Sequence, residues 1–68
     1  MEEAGEGLSK RDFLNHVKIA RKEAKESRYW LTLIRAAKLL VDREVDALRQ
    51  EAFELVRILT SIIKRATP

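Results

Sequence analysis

The sequence predicts an all-α protein: an antiparallel two-helix hairpin that completes an up-and-down four-helix bundle by oligomerisation. Between Lys10 and Thr67 there is neither glycine nor proline, and apolar residues recur there at intervals of three and four, the spacing of a packed helix. Residues 29–41 are apolar on nearly every side of the first predicted helix. A single partner helix cannot cover such a surface, so a chain of 68 residues is expected to associate.

The first helix is predicted to begin after Ser9, which has the side chain of a favourable N-cap. Asp12 stands three residues later, where an acidic side chain reaches back in a capping box, and Leu8 and Phe13 occupy the positions of a hydrophobic staple. We therefore expect residues 1–8 to form a flexible leader and residues 9–68 to form the helical hairpin.

The first helix is predicted over residues 10–40 and the second over residues 43–65, with Asp42 as the N-cap of the second. The boundary lies where two apolar seams fall out of phase. The first seam is Phe13, Val17, Ala20, Ala24, Ser27, Leu31 and Ile34, and the second is Val45, Leu48, Ala52, Leu55, Leu59 and Ile62. A connection this short makes the two helices antiparallel neighbours.

The hairpin alone would leave several hundred Å² of apolar surface in water. At about 25 cal/mol per Å², burial of that surface favours association by about 5–10 kcal/mol. We expect a homo-oligomer, either a dimer that completes a bundle or a larger ring. The predicted oligomer interface consists of Trp30, Leu33, Ile34, Ala37, Leu40, Phe53, Val56 and Ile63.

Composition argues against several classes of function. The chain has no cysteine and one histidine, His16, which argues against disulfides and zinc clusters, and we expect no cofactor and no metal. It offers no nucleophile and base pair and no phosphate loop, so we do not expect an enzyme. Arg35 and Lys38 interrupt the longest apolar runs, and no apolar signal core precedes Ser9. We expect a cytoplasmic protein with no membrane partner.

A basic ridge on the first helix is the main indication of a binding function. Six cationic residues project within about a third of the helix circumference, while Asp12, Glu23 and Glu26 fall toward another side. The predicted nucleic-acid-binding residues are Arg11, Lys18, Arg21, Lys22, Lys25 and Arg28. Like charges at this spacing repel, and phosphates would offset the repulsion. An ordinary solvated helix face remains the alternative interpretation.

Three segments resemble a known family. Residues 22–31 (KEAKESRYWL), 55–64 (LVRILTSIIK) and 2–13 (EEAGEGLSKRDF) are similar to the C-terminal half of the bacterial four-helix bundle protein family, also called S23 or 23S rRNA intervening-sequence proteins. Lys38 stands where many members have a turn glycine. The resemblance implies an up-and-down bundle, often assembled into rings such as pentamers, without established catalytic activity.

The same resemblance suggests partners, because some members act beside reverse transcriptases and are thought to contact nucleic acid. RNA or DNA and a polymerase-type protein are therefore the expected partners. Two interpretations stay open. The chain is either a non-catalytic assembly protein whose basic ridge contacts nucleic acid, or a purely structural or protein-partner oligomerisation module with no affinity for nucleic acid.

Overall fold

The computed structural model describes residues 9–67, which form two α-helices joined by a short turn. Helix α1 spans Lys10–Ala36 and helix α2 spans Asp42–Ala66. Three interhelical contacts pair residue 21 with 60, 28 with 53 and 35 with 46. The numbers rise by seven along α1 as they fall by seven along α2, which is the register of an antiparallel pair. The predicted all-α hairpin is confirmed over the described residues, and no helix among them is long and apolar enough to cross a membrane.

Helix α1 begins as the sequence predicts. Ser9 has extended backbone angles, and its Oγ accepts a hydrogen bond of 3.1 Å from the backbone N–H of Asp12. This bond satisfies one of the N–H groups that the first helical turn leaves without an intrahelical acceptor. The predicted leader, residues 1–8, and the staple residue Leu8 lie outside the described residues.

Helix α1 ends at Ala36, and the prediction that it continues to residue 40 is wrong. Lys38 adopts the left-handed conformation with φ of 60°. The Lys38 N–H donates to the Arg35 carbonyl at 3.1 Å, and the Leu39 N–H donates to the Ile34 carbonyl at 3.2 Å. This pair of bonds forms a Schellman motif, which satisfies the last carbonyls of the helix and turns the chain away from its axis.

The predicted N-cap of α2 also requires correction. Val41 occupies the cap position with extended backbone and no side-chain cap bond, and Asp42 is the first helical residue. The Asp42 carboxylate instead lies 3.7 Å from Arg35 Nη2 and 3.5 Å from Lys38 Nζ. A short acidic side chain in the first turn still interacts favourably with the helix dipole. The predicted start of α2 was therefore within one residue of the observed start, but Asp42 pairs with side chains of the turn instead of capping the helix.

A second carboxylate completes the ion pairs at the turn. Arg35 Nε donates to Asp46 Oδ1 at 2.8 Å, and Arg49 Nη1 donates to the same oxygen at 3.3 Å. The Arg35 hydrogen bond is the main reason that the pKa of Asp46 is lowered, and the same bond raises the pKa of Arg35. Because these groups are exposed, they position the two helix ends more than they stabilise the fold.

The hydrophobic core is small. Among the described residues only Val17, Ala24 and Val45 are buried, and only Val45 is completely excluded from solvent. Larger apolar side chains remain exposed, including Trp30 at 60% and Leu55 at 46%. Two helices by themselves can cover few side chains fully, so burial is confined to the line along which they touch.

The contact line on α1 differs from the predicted seam. Phe13, Ala20 and Ser27, which the prediction placed in the seam, are exposed, whereas Arg21 and Arg35 are half-buried. Successive side chains on a helix are about 100° apart. A small rotation of α1 about its axis, relative to the predicted packing, therefore moves Phe13, Ala20 and Ser27 out of the contact and keeps Val17 and Ala24 in it. The row of α1 residues formed by Phe13, Ala20 and Ser27 therefore lies beside the contact with α2 and does not pack against it.

We predict that Lys38→Gly stabilises the protein. Glycine adopts positive φ without the steric cost of a Cβ, and removal of that cost is worth about 1 kcal/mol. Urea unfolding followed by far-UV circular dichroism at fixed protein concentration measures the change. The matched control is Ala37→Gly, where φ is −83°. This variant should lose about 0.5–1 kcal/mol. A Lys38→Gly protein no more stable than the parent would contradict the assigned turn.

A second prediction concerns pH. Because folding lowers the pKa of Asp46, its contribution to stability is complete above the pKa of an unfolded aspartate, about 3.9. The contribution is lost as the pH falls through the lower folded-state pKa. Asp46→Asn should therefore have a lower Tm than the parent near pH 6, with the two values converging in strong acid. Glu23→Gln, at an exposed site outside these ion pairs, is the control, and its Tm should follow the Tm of the parent over the same pH range.

Candidate functional site

The two flanks of the hairpin differ in chemistry. On each helix, positions to one side of the contact line carry cationic and aromatic residues, and positions to the other side carry apolar residues with acidic neighbours. In this antiparallel pair the cationic flanks of the two helices lie on one side of the hairpin, and their apolar flanks lie on the other side. The hairpin therefore has one basic side and one apolar side, and each side contains a groove between the helices.

The basic face consists of exposed cations from both helices. Four predicted binding residues lie along one flank of α1, over about 21 Å of helix length. They are Arg11, Lys18, Lys22 and Lys25. Arg57 and Lys64 of α2 line a shallow groove on the same side with Val56, Thr60 and Ser61. Sequence analysis missed Arg57 and Lys64, because assigning them to this side requires the pairing register between the helices.

The other two predicted binding residues contact α2. Arg21 Nη1 donates to Thr60 Oγ1 at 3.3 Å, and the Arg28 guanidinium carbon lies 5.0 Å from the centroid of the Phe53 ring. The second geometry is that of a cation–π interaction. Both arginines thus help to hold the helices together at the base of the basic face. Their seven-residue spacing on α1 is the signal in the sequence that accounts for this role.

Between the helices, the basic side contains a groove that we call the aromatic-basic groove. It is lined by Lys25, Arg28, Tyr29, Thr32, Arg49, Phe53 and Val56. Tyr29 is 59% exposed and Phe53 is 39% exposed. Arg49 Nε is buried and has no hydrogen-bond acceptor in the part of the chain that the structure describes. Aromatic surface, positive charge and an unsatisfied donor therefore meet at one place.

The opposite side contains a groove that we call the apolar groove. Its lining residues are Ser27, Trp30, Leu31, Ile34, Leu48, Glu51, Ala52 and Leu55. The prediction placed Leu48 and Leu55 in a seam between the two helices, but the structure leaves them 44% and 46% exposed at this surface. The acidic side chains of Glu23, Glu44 and Glu51 are exposed on the same side.

The predicted interface residues do not form one patch in the hairpin. Trp30 and Ile34 line the apolar groove, whereas Phe53 and Val56 line the aromatic-basic groove on the other side. Leu33 lies 41% exposed on the outer surface of α1. The remaining three are Ala37 and Leu40, which lie exposed in the turn, and Ile63, which is half-buried on α2.

Within the described residues, no group of three histidine, cysteine, aspartate or glutamate side chains is arranged to hold a metal ion. His16 Nδ1 lies 2.8 Å from the carbonyl oxygen of Asp12, one turn earlier on the same helix. That distance fits a local hydrogen bond from Nδ1–H to the carbonyl oxygen. The residues that line the two grooves supply charge, aromatic surface and apolar contact.

Comparison with known proteins identifies a family. Neither the curated proteins nor the solved structures contain a significant match to this chain. The sequence model of the 23S rRNA-intervening sequence proteins matches residues 1–61, which is nearly the whole chain. The match agrees with the resemblance seen in residues 22–31 and 55–64. The chain belongs to the 23S rRNA-intervening sequence protein family.

Proposed function

We propose that this protein is a non-catalytic assembly protein that associates through its apolar groove and contacts nucleic acid through its basic face. The observation that carries the proposal is the separation of the two chemistries onto opposite sides of the hairpin. Lys18 and Lys25 lie exposed on one side, and Trp30 and Leu55 line the groove on the other. One side can therefore bind a polyanion while the other is covered by protein.

The distribution of acidic residues supports this assignment. Glu23, Glu44 and Glu51 lie on the apolar side, where they repel phosphates. On the basic side, Asp42 and Asp46 near the turn are paired with arginine or lysine, and Glu54 lies 3.6 Å from Arg57, which leaves the cations of α1 to supply most of the positive charge. The potential over the basic face is thus left positive. A surface of this kind attracts nucleic acid by releasing counterions from its backbone.

Association through the apolar groove has a separate physical basis. Its lining exposes Trp30, Leu48 and Leu55 together, and such contiguous apolar surface is uncommon on a monomer. A second copy of the hairpin, packed groove to groove, would build a four-helix bundle with these side chains at its centre. Several copies would also present several basic faces to one nucleic acid, which raises the effective affinity.

The alternative is a purely structural or protein-partner module, with a polymerase-type protein among the candidate partners. The apolar groove favours this alternative as strongly as it favours the main proposal, because burial of Leu48 and Leu55 needs no nucleic acid. The two proposals differ only in what the basic face does. A direct measurement of nucleic-acid binding therefore separates them.

We predict that Lys18→Glu/Lys25→Glu weakens RNA binding at least about tenfold at low salt. Losing two phosphate contacts should also reduce the slope of log affinity against log salt by about 1.4 for single strands. Fluorescence anisotropy with a labelled RNA, chosen because the family name refers to 23S rRNA, measures both quantities between about 50 and 200 mM salt. Helicity should persist, since each new glutamate lies three or four residues from Lys22.

The control is Arg43→Glu/Arg65→Glu, which makes the same change in net charge away from the basic face. This variant should retain affinity to within about threefold, since it removes no contact from the face. If both double variants lose affinity equally, net charge rather than the basic face is responsible. If the parent protein does not bind RNA at about 50 mM salt, the structural module is the better description.

We also predict that Leu55→Asp prevents association. A carboxylate buried in the apolar groove would lack a partner, and desolvation of that charge opposes the contact. Sedimentation velocity or light scattering should show a lower mass than the parent at the same concentration. Ile19→Asp is the matched control, because Ile19 is 55% exposed on α1 and does not line the apolar groove. Equal masses for the two variants would rule out this groove as the assembly surface.

A further inference from the structure

We propose that the aromatic-basic groove holds an unpaired nucleotide of a single-stranded nucleic acid, with the base stacked on aromatic surface and the phosphate held by cations. The inference rests on the proposed nucleic-acid contact and specifies its substrate class. Tyr29 from α1 and Phe53 from α2 supply the rings, and Lys25, Arg28 and Arg49 supply the positive charge. All five residues line the same groove.

The aromatic surface is accessible. Phe53 is 39% exposed and Tyr29 is 59% exposed, and the two rings come from different helices. The Arg28 guanidinium carbon lies 5.0 Å from the Phe53 ring centroid, which is a cation–π distance, so charge and ring surface are adjacent within the groove. Nucleic-acid bases stack on aromatic rings and on guanidinium planes alike. The groove therefore presents the kind of platform on which an extruded base is held.

The hydrogen-bonding state of Arg49 points to a ligand at the same place. Its Nη1 is occupied by Asp46 Oδ1, but its Nε is buried without an acceptor among the described residues. A buried N–H group without a partner is rare in folded proteins. Because the Arg49 side chain is 30% exposed, a small rotation would bring this N–H to a phosphate or base carbonyl oxygen in the groove. Lys25, exposed at the edge of the groove, adds a second contact for the phosphate.

A single strand fits these features better than a duplex. In a duplex the faces of the bases are stacked on one another, so only phosphates, sugars and base edges are accessible to a protein. A base can enter a groove between two helices only when it is unpaired, and the cost of extrusion is least in a single strand. The basic face continues beyond the groove through Lys18 and Arg11, which can follow the backbone of the same strand.

The test compares two DNA probes that carry equal charge. One is an oligothymidylate of about ten nucleotides, and the other has the same backbone with abasic residues in place of the central bases. Because base stacking on protein side chains contributes at least about a fivefold change in affinity, the parent protein should bind the abasic probe at least about fivefold more weakly. Phe53→Leu should reduce this difference to below about twofold and leave the salt dependence of binding unchanged.

Phe13→Leu is the matched control, since it makes the same substitution at a ring that is 44% exposed and does not line the aromatic-basic groove, and it should preserve the difference between probes. If Phe53→Leu loses helicity by circular dichroism, Tyr29→Leu is used, because that ring is more exposed. Equal affinity of the parent for both probes would overturn the groove inference alone. Failure of the parent to bind either probe would also overturn the groove inference, and failure to bind the labelled RNA as well would overturn the proposed nucleic-acid contact.

Discussion

The contact between α1 and α2 is narrow, and this limited contact determines the small core and the two grooves beside it. The contact line on α1 alternates between the small apolar residues Val17 and Ala24 and the arginines Arg21 and Arg28. Small side chains let the helices approach, while the arginines reach across to Thr60 and Phe53 instead of filling a core. Part of the interhelical contact is thus polar or cationic, and several of the predicted seam residues lie to one side of it.

The seam residues of α1 that lie outside the helix contact account for the position of the apolar groove. Phe13, Ala20 and Ser27 turn toward the same side of the hairpin as Leu48 and Leu55. In a four-helix bundle the core lies on the central axis, so residues beside the line of contact between two neighbouring helices are the ones that point inward. The predicted seam therefore describes the core of a bundle better than the contact within one hairpin. This geometry is the physical basis of the association that we propose through the apolar groove.

Local features were predictable from the sequence, and features that depend on helix pairing were not. The Ser9 cap and the helical periodicity of residues 10–36 involve neighbours within four positions, and the structure agrees with both. The turn at Lys38 was misplaced because a lysine does not itself indicate positive φ and apolar residues continue the helical pattern beyond it, although the resemblance had already set a turn glycine against this position. Arg57 and Phe53 could not be assigned to the basic side without the register between the helices. The aromatic-basic groove was missed for the same reason.

The division of the hairpin into two sides has a consequence for how binding and assembly relate. If the apolar grooves of two copies pack together, their basic sides face outward in opposite directions, so that neither is buried by the association. Assembly then stabilises the helices that position Arg28, Phe53 and Arg49 without competing for those residues. The stability of an isolated hairpin is limited, since Val45 is the one fully buried side chain among the described residues. Ordering of the aromatic-basic groove should therefore increase with protein concentration, and affinity for nucleic acid should increase with it.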